Sequence, residues 1–75
     1  MPKLPHLSGK EIIKALSKAG FQVARQKGSH VILVRMTGEG KRAVVVPYHN
    51  EVDFGTLIEI IRKSWLKRDE FLALV

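Results

Sequence analysis

A chain of 75 residues with 45% hydrophobic content supports a single domain, 1–75, with a thin core, because at this size only about 60% or slightly more of the unfolded surface can be buried. It contains no cysteine, so neither a disulfide framework nor a thiolate metal site reinforces that core, and nothing calls for an oxidising compartment. Thirteen Lys and Arg against seven Asp and Glu give a net charge of +6, and residues 12 to 50 hold seven basic side chains and one acid, Glu39; such a field attracts a polyanion, of which nucleic acid is the commonest for a small basic domain.

In chain order, Met1-Pro2-Lys3-Leu4-Pro5-His6 lacks the apolar segment of a signal peptide. Apolar runs such as Val31 to Val34 and Ala43 to Pro47 fall far short of the roughly 20 residues that span a bilayer. The expectation is a soluble, cytoplasmic protein without a membrane partner. Ser8-Gly9-Lys10-Glu11 has the spacing of a capping box, so a helix is predicted to start there. Ile12, Ile13, Leu16 and Ala19 recur at helical spacing, and Gly20 stands where a left-handed C-terminal cap belongs. Lys10, Lys14 and Lys18 form a stripe beside that apolar face, either a solvated edge or a track for phosphates.

From Phe21 the period changes to two, with Phe21 and Val23 alternating against Gln22 and Ala24 up to a turn at Gln26-Lys27-Gly28-Ser29. A second strand runs from about His30 to Met36, Thr37-Gly38-Glu39-Gly40 supplies another reversal, and Lys41 to Tyr48 reads as a third strand ended near Pro47. Turns this short make consecutive strands antiparallel. Helical spacing returns with Leu57, Ile58 and Ile61, after Asp53 or Thr56 as candidate caps, and a short terminal helix carries Phe71, Leu72 and Val75. The predicted class is α+β, an α-β-β-β-α order with a three-stranded antiparallel sheet and helices packed on one face. The turn leaves His30 at the sheet's edge, and histidine is the side chain that exchanges a proton near neutral pH without special burial.

Taken together, Ser8-Gly9-Lys10-Glu11, Gly20-Phe21, Arg25-Gln26-Lys27-Gly28-Ser29-His30, Val46-Pro47-Tyr48-His49 and Gly55-Thr56-Leu57 resemble, in order and spacing, the HicA (YcfA-like) toxins, small ribonucleases of toxin-antitoxin modules. The resemblance covers nearly the whole chain. It implies a double-stranded-RNA-binding-domain-like fold, cleavage of messenger RNA, an essential histidine at the position of His30, and neutralisation by a HicB-type antitoxin. One stretch departs from the pattern. Where such toxins usually carry Ala-Gly-Leu followed by Ser or Thr, this chain has Ser64-Trp65-Leu66-Lys67, without the Gly that ends one helix or the hydroxyl that caps the next. The last helical segment is then either continuous with the one before it or docked differently. Trp65 is expected in the core, which needs the area a large aromatic buries, with an exposed contact as the alternative.

RNA carries its own nucleophile, the 2′-hydroxyl, so a ribonuclease needs only to move protons and neutralise charge at phosphorus. One histidine supplies the first need, typically worth about 10²- to 10⁴-fold in rate, and nearby cations supply the second. His30 is the candidate proton-transfer group. Lys27 and Arg25, two residues apart on one strand face, either hold the scissile phosphate or are ordinary surface charge. The turn residues Gly28 and Ser29, with Lys10 and Lys14, complete the candidate RNA-contacting set. His49 is either a second proton-transfer partner or a loop residue facing solvent or the antitoxin. A metal site at His49-Asn50-Glu51 offers only two ligands, and a third would have to come from His6 or His30; metal-independent cleavage, with no cofactor, is therefore expected. The principal alternative is a non-catalytic double-stranded-RNA-binding module, which shares the element order and charge. Such modules present a Lys cluster at the start of the last helix, where this chain reads Gly55-Thr56-Leu57. A basic adaptor for an acidic protein is the third reading.

Overall fold

The computed structural model describes residues 4–75. Helix α1 (Gly9–Lys18) is followed by strands β1 (Gln22–Lys27), β2 (His30–Thr37) and β3 (Gly40–Pro47), then by α2 (Phe54–Ser64) and the short α3 (Arg68–Leu72). The strands form one antiparallel meander in the order β1-β2-β3. The class predicted from the sequence is the class observed.

Each boundary of α1 follows from the residues around it. The Ser8 Oγ accepts from the Glu11 N–H at 3.1 Å while the Glu11 carboxylate accepts from the Ser8 N–H at 3.0 Å, a complete capping box. The helix ends in a Schellman motif: Phe21 N–H donates to Leu16 C=O at 3.0 Å and Gly20 N–H to Ser17 C=O at 3.1 Å, with Gly20 at φ +100°. Phe21 is thereby carried into the core, where it is 2% exposed.

One hydrophobic cluster joins the elements. Ile12, Ala15 and Leu16 of α1, Leu57, Ile60 and Ile61 of α2, and Phe71 of α3 pack with Val31 and Leu33 of β2 and Val44 and Val46 of β3. Strand side chains alternate between faces, so burial of Val31, Leu33, Val44 and Val46 assigns the opposite face to His30, Ile32, Val34, Val45 and Pro47. Among the described residues no helix covers that second face. Strand β1 lies beyond the cover of the helices and is exposed along its whole length. Val23, which alternates with Gln22 and Ala24 along this strand, is accordingly 53% exposed, and the pairing with β2 shifts register between Val23 and Arg25, an irregularity of the kind common at sheet edges.

The α2–α3 corner also departs from expectation. Asp53 caps α2, accepting from the Thr56 N–H at 3.0 Å and the Thr56 hydroxyl at 2.7 Å, and these bonds hold its carboxyl below the usual range, the hydroxyl contributing most. At the other end Trp65 takes the left-handed conformation, φ 64°, which ends α2 without glycine at a cost of about 1–2 kcal/mol. Lys67 then begins α3 with no side-chain cap of its own; instead its N–H donates to the Glu70 carboxylate at 2.8 Å. The last two helices are therefore separate, and Trp65 is not a core residue but 55% exposed. Phe71, fully buried, supplies the aromatic that the core requires. Ser64 is buried with its hydroxyl satisfied, donating to Ile61 C=O at 2.6 Å and accepting from Leu66 N–H at 3.3 Å. No helix among the described residues is long and apolar enough to cross a membrane.

Candidate active site

His30 is placed by the turn before it. Lys27 and His30 are direct partners across β1 and β2, which leaves Gly28-Ser29 as a two-residue hairpin loop. Gly28 has φ +60° and Ser29 is not among the positive-φ residues. That is the type II′ arrangement, whose twist matches the strands it joins and whose first position favours glycine. A Cβ at Gly28 would meet nothing within 4 Å, so the turn projects into open space.

Register then sets the charges. Residues opposite one another in an antiparallel pair project from the same face, so Lys27 shares the open face with His30. Arg25, opposite Ile32, lies on that face as well. All three side chains are exposed. The sequence expectation that Arg25 and Lys27 share a face with one another is met, and both are brought to the face of His30.

The third strand closes the other flank. Pro47 is the partner of His30 on β3, and the ladder continues one step beyond the strand, with the Tyr48 N–H donating to the Ser29 carbonyl at 2.6 Å. His49 follows at once, exposed, at the same end of the sheet as His30. Its carbonyl accepts from the Gly9 N–H at 2.9 Å, which ties the start of α1 to the segment beside the turn. Only glycine fits there, because a Cβ on Gly9 would run into the Pro47 carbonyl and the Tyr48 backbone. This tie was not anticipated from the sequence. Its signal is a glycine at the first position of a helix, in a motif otherwise accounted for by its cap.

The other candidates are not gathered there. Lys10 and Lys14 are exposed on α1, in the helical layer on the reverse side of the sheet from the His30 face. Lys10 adjoins Gly9 at the His30 end, and Lys14 stands one turn further along. The third member of that stripe, Lys18, donates to the Leu74 carbonyl at 3.2 Å. Glu51 is engaged with His6, Oε1 to Nδ1 at 3.6 Å, and the His6 ring lies 4.7 Å from that of Phe54. Among the described residues no three His, Asp or Glu side chains gather into a metal-binding group.

A two-layer α-β-β-β-α domain with an exposed histidine and two cations on the bare face of its sheet belongs to the double-stranded-RNA-binding-domain-like class of α+β folds. Within that class, a family model described as the HicA toxin of bacterial toxin-antitoxin systems matches residues 9–66, and the chain belongs to the HicA toxin family. The match begins at Gly9, the residue fitted against Pro47, and ends at Leu66, just past the exposed tryptophan. No curated protein sequence matches the chain.

Proposed function

We propose that this toxin is a metal-independent endoribonuclease acting on messenger RNA, with His30 carrying one of the two proton transfers. The observation that supports this reading is the constellation at the rim of the sheet: an exposed imidazole at the start of the central strand, Lys27 directly across from it, and Arg25 on the same face. The reaction begins when the ribose 2′-oxygen loses its proton and attacks phosphorus. The bond from phosphorus to the 5′-oxygen breaks, and that oxygen takes up a proton. The products are a 2′,3′-cyclic phosphate and a free 5′-hydroxyl. Lys27 and Arg25 face the charge that gathers on the phosphoryl oxygens, and His49 is the candidate for the second proton transfer. Open access suits the chemistry, since neither a cavity nor a bound ion is needed to supply the nucleophile.

A HicB-type antitoxin neutralises the activity by covering the Gly28–His30 turn, with an acidic surface set against the positive rim. Among the described residues no group covers the open turn, so control falls to a partner. The non-catalytic RNA-binding reading is less well supported: the start of α2 carries the Asp53 cap and Thr56 where such modules place cations.

The test is cleavage of a synthetic RNA and of the same strand with a single 2′-deoxy sugar at the cut position, each with and without chelator. Cleavage of the first alone, unaffected by chelator and leaving cyclic phosphate ends, is expected. Cutting of the deoxy strand, or activity lost to chelator and restored by a divalent ion, would overturn the reading.

A further inference from the structure

Trp65 is used neither by the core nor by the His30 rim. More than half of its surface is exposed, and its ring is not bare on both sides. The Arg42 guanidinium carbon lies 3.4 Å from the ring centroid. Arg42 is held there by a bond from Nη2 to the Lys63 carbonyl at 3.2 Å, while its Nε is buried without an acceptor. One face of the indole is thus covered by a cation, and more than half of the residue remains open to solvent.

Four cations are grouped with Trp65 by contact, chain position or strand pairing. Lys63 and Lys67 flank Trp65 in the chain and are exposed, and Arg35 is the cross-strand partner of Arg42. Among the described residues the side-chain ion pairs are His6–Glu51 and Arg62–Glu59, so Arg35, Arg42, Lys63 and Lys67 have no carboxylate at pairing distance. A protein hot spot sits at the centre of a patch that its neighbours help to dry. A flat aromatic face among unpaired cations is instead the equipment with which proteins hold unpaired bases and their phosphates.

We propose that Trp65, backed by Arg42, is a second RNA contact, stacking one unpaired base of the strand whose phosphodiester is cut at His30. The proposal rests on the ribonuclease reading above. The two places are distinct: Arg42 pairs with Arg35, five residues along β2 from His30, about 17 Å at strand rise, and it faces the helical side. A strand therefore reaches Trp65 by passing round the edge strand β3. Asp53 and Glu59 line the groove between β3 and α2, and Lys63 lines it too. The carboxylates repel phosphates from the groove and leave its Lys63 end as the place of contact. Length follows as the signature. A short oligonucleotide that fills only the His30 rim is indifferent to Trp65, and a longer strand is not.

Trp65 is the one tryptophan of the chain, so its fluorescence reports on the site directly. The probe is an unstructured, fully 2′-O-methylated RNA strand, which keeps bases and phosphates and has no nucleophile. Quenching on titration is expected, with much less from a strand of equal charge whose nucleotides lack bases. Trp65→Gly, which suits the left-handed backbone, is expected to weaken binding of the long strand about five- to 150-fold, the range for one stacked base. It should raise KM for long RNA while leaving kcat and the cutting of a short oligonucleotide unchanged; Trp65→Phe should restore most of the affinity. Binding and cleavage of RNA with unchanged tryptophan emission and an unaffected Trp65→Gly variant would overturn this inference alone. A Trp65→Gly variant that binds RNA normally and loses its antitoxin would assign the surface to a protein and overturn it as well. A protein that neither binds nor cuts RNA would remove both this contact and the ribonuclease reading.

Discussion

The two ends of the sheet present their cations in different ways. At the His30 end, Lys27 and Arg25 reach the open face by strand alternation and register alone, with a two-residue turn to fix the pairing. At the other end, Arg42 is pinned beneath Trp65, and Trp65 is held out by a left-handed residue where two helices meet. A group positioned by register depends on the ladder and tolerates change in its neighbours. A group positioned by a helical corner depends on whatever anchors that corner.

Phe71→Ala breaks this comparison most severely, since Phe71 is the fully buried anchor of α3. A loss of about 3–5 kcal/mol is expected for an emptied aromatic site, a large share of the stability of any small domain. Urea unfolding followed by circular dichroism checks it, and a shift below about 1 kcal/mol would mean that the corner does not rest on Phe71. Gly9→Ala strikes the His30 end instead. The added methyl meets the Pro47 carbonyl, so a loss of about 1–3 kcal/mol is expected, as for overpacking. Faster hydrogen exchange at the Tyr48 amide should accompany it, because that amide is bonded to Ser29.

Ser8→Ala removes half of the capping box and should cost about 1 kcal/mol, read as a lower melting temperature. The partner carboxylates give the same caps a pH dependence. Glu11 is held below its ordinary range first by its bond from the Ser8 N–H, and Asp53 by its bonds from Thr56. Their folded values are depressed, so their contribution is present above the unfolded carboxylate range and is lost as pH falls through the folded values. Melting temperature should therefore decline on acidification below about pH 4, and less so in a Glu11→Gln variant. Trp65→Gly should move stability least. It relieves about 1–2 kcal/mol of left-handed strain and forfeits about 0.5–1 kcal/mol of cation–aromatic contact, a net change within about 1.5 kcal/mol in thermal or urea melts.

Much of the His30 end was legible because its signals are local. Ser8 with Glu11, Gly20, and Gly28-Ser29 each act within a few residues, and each sits where its chemistry predicts. Strand order, the tie from Gly9 to His49 and the exposure of β1 are tertiary facts. The alternation of Phe21 and Val23 reads as a half-buried strand, yet no helix reaches far enough to cover Val23. Trp65 misleads for a related reason. Hydrophobicity predicts burial only where space remains, and Phe21 and Phe71 already fill the core. Nothing in the spacing of Arg42 and Trp65 signals that they meet.

The proposed cleavage depends on the imidazole at the start of β2, and the most direct measurement is the rate at which a His30→Ala protein cuts RNA, with its folding verified by circular dichroism and by binding of the uncleavable strand. His30 is exposed at a strand end, so the variant is expected to fold and to bind RNA while cleaving at least about 10²-fold more slowly. A folded His30→Ala protein that cuts RNA at the parental rate would contradict the account.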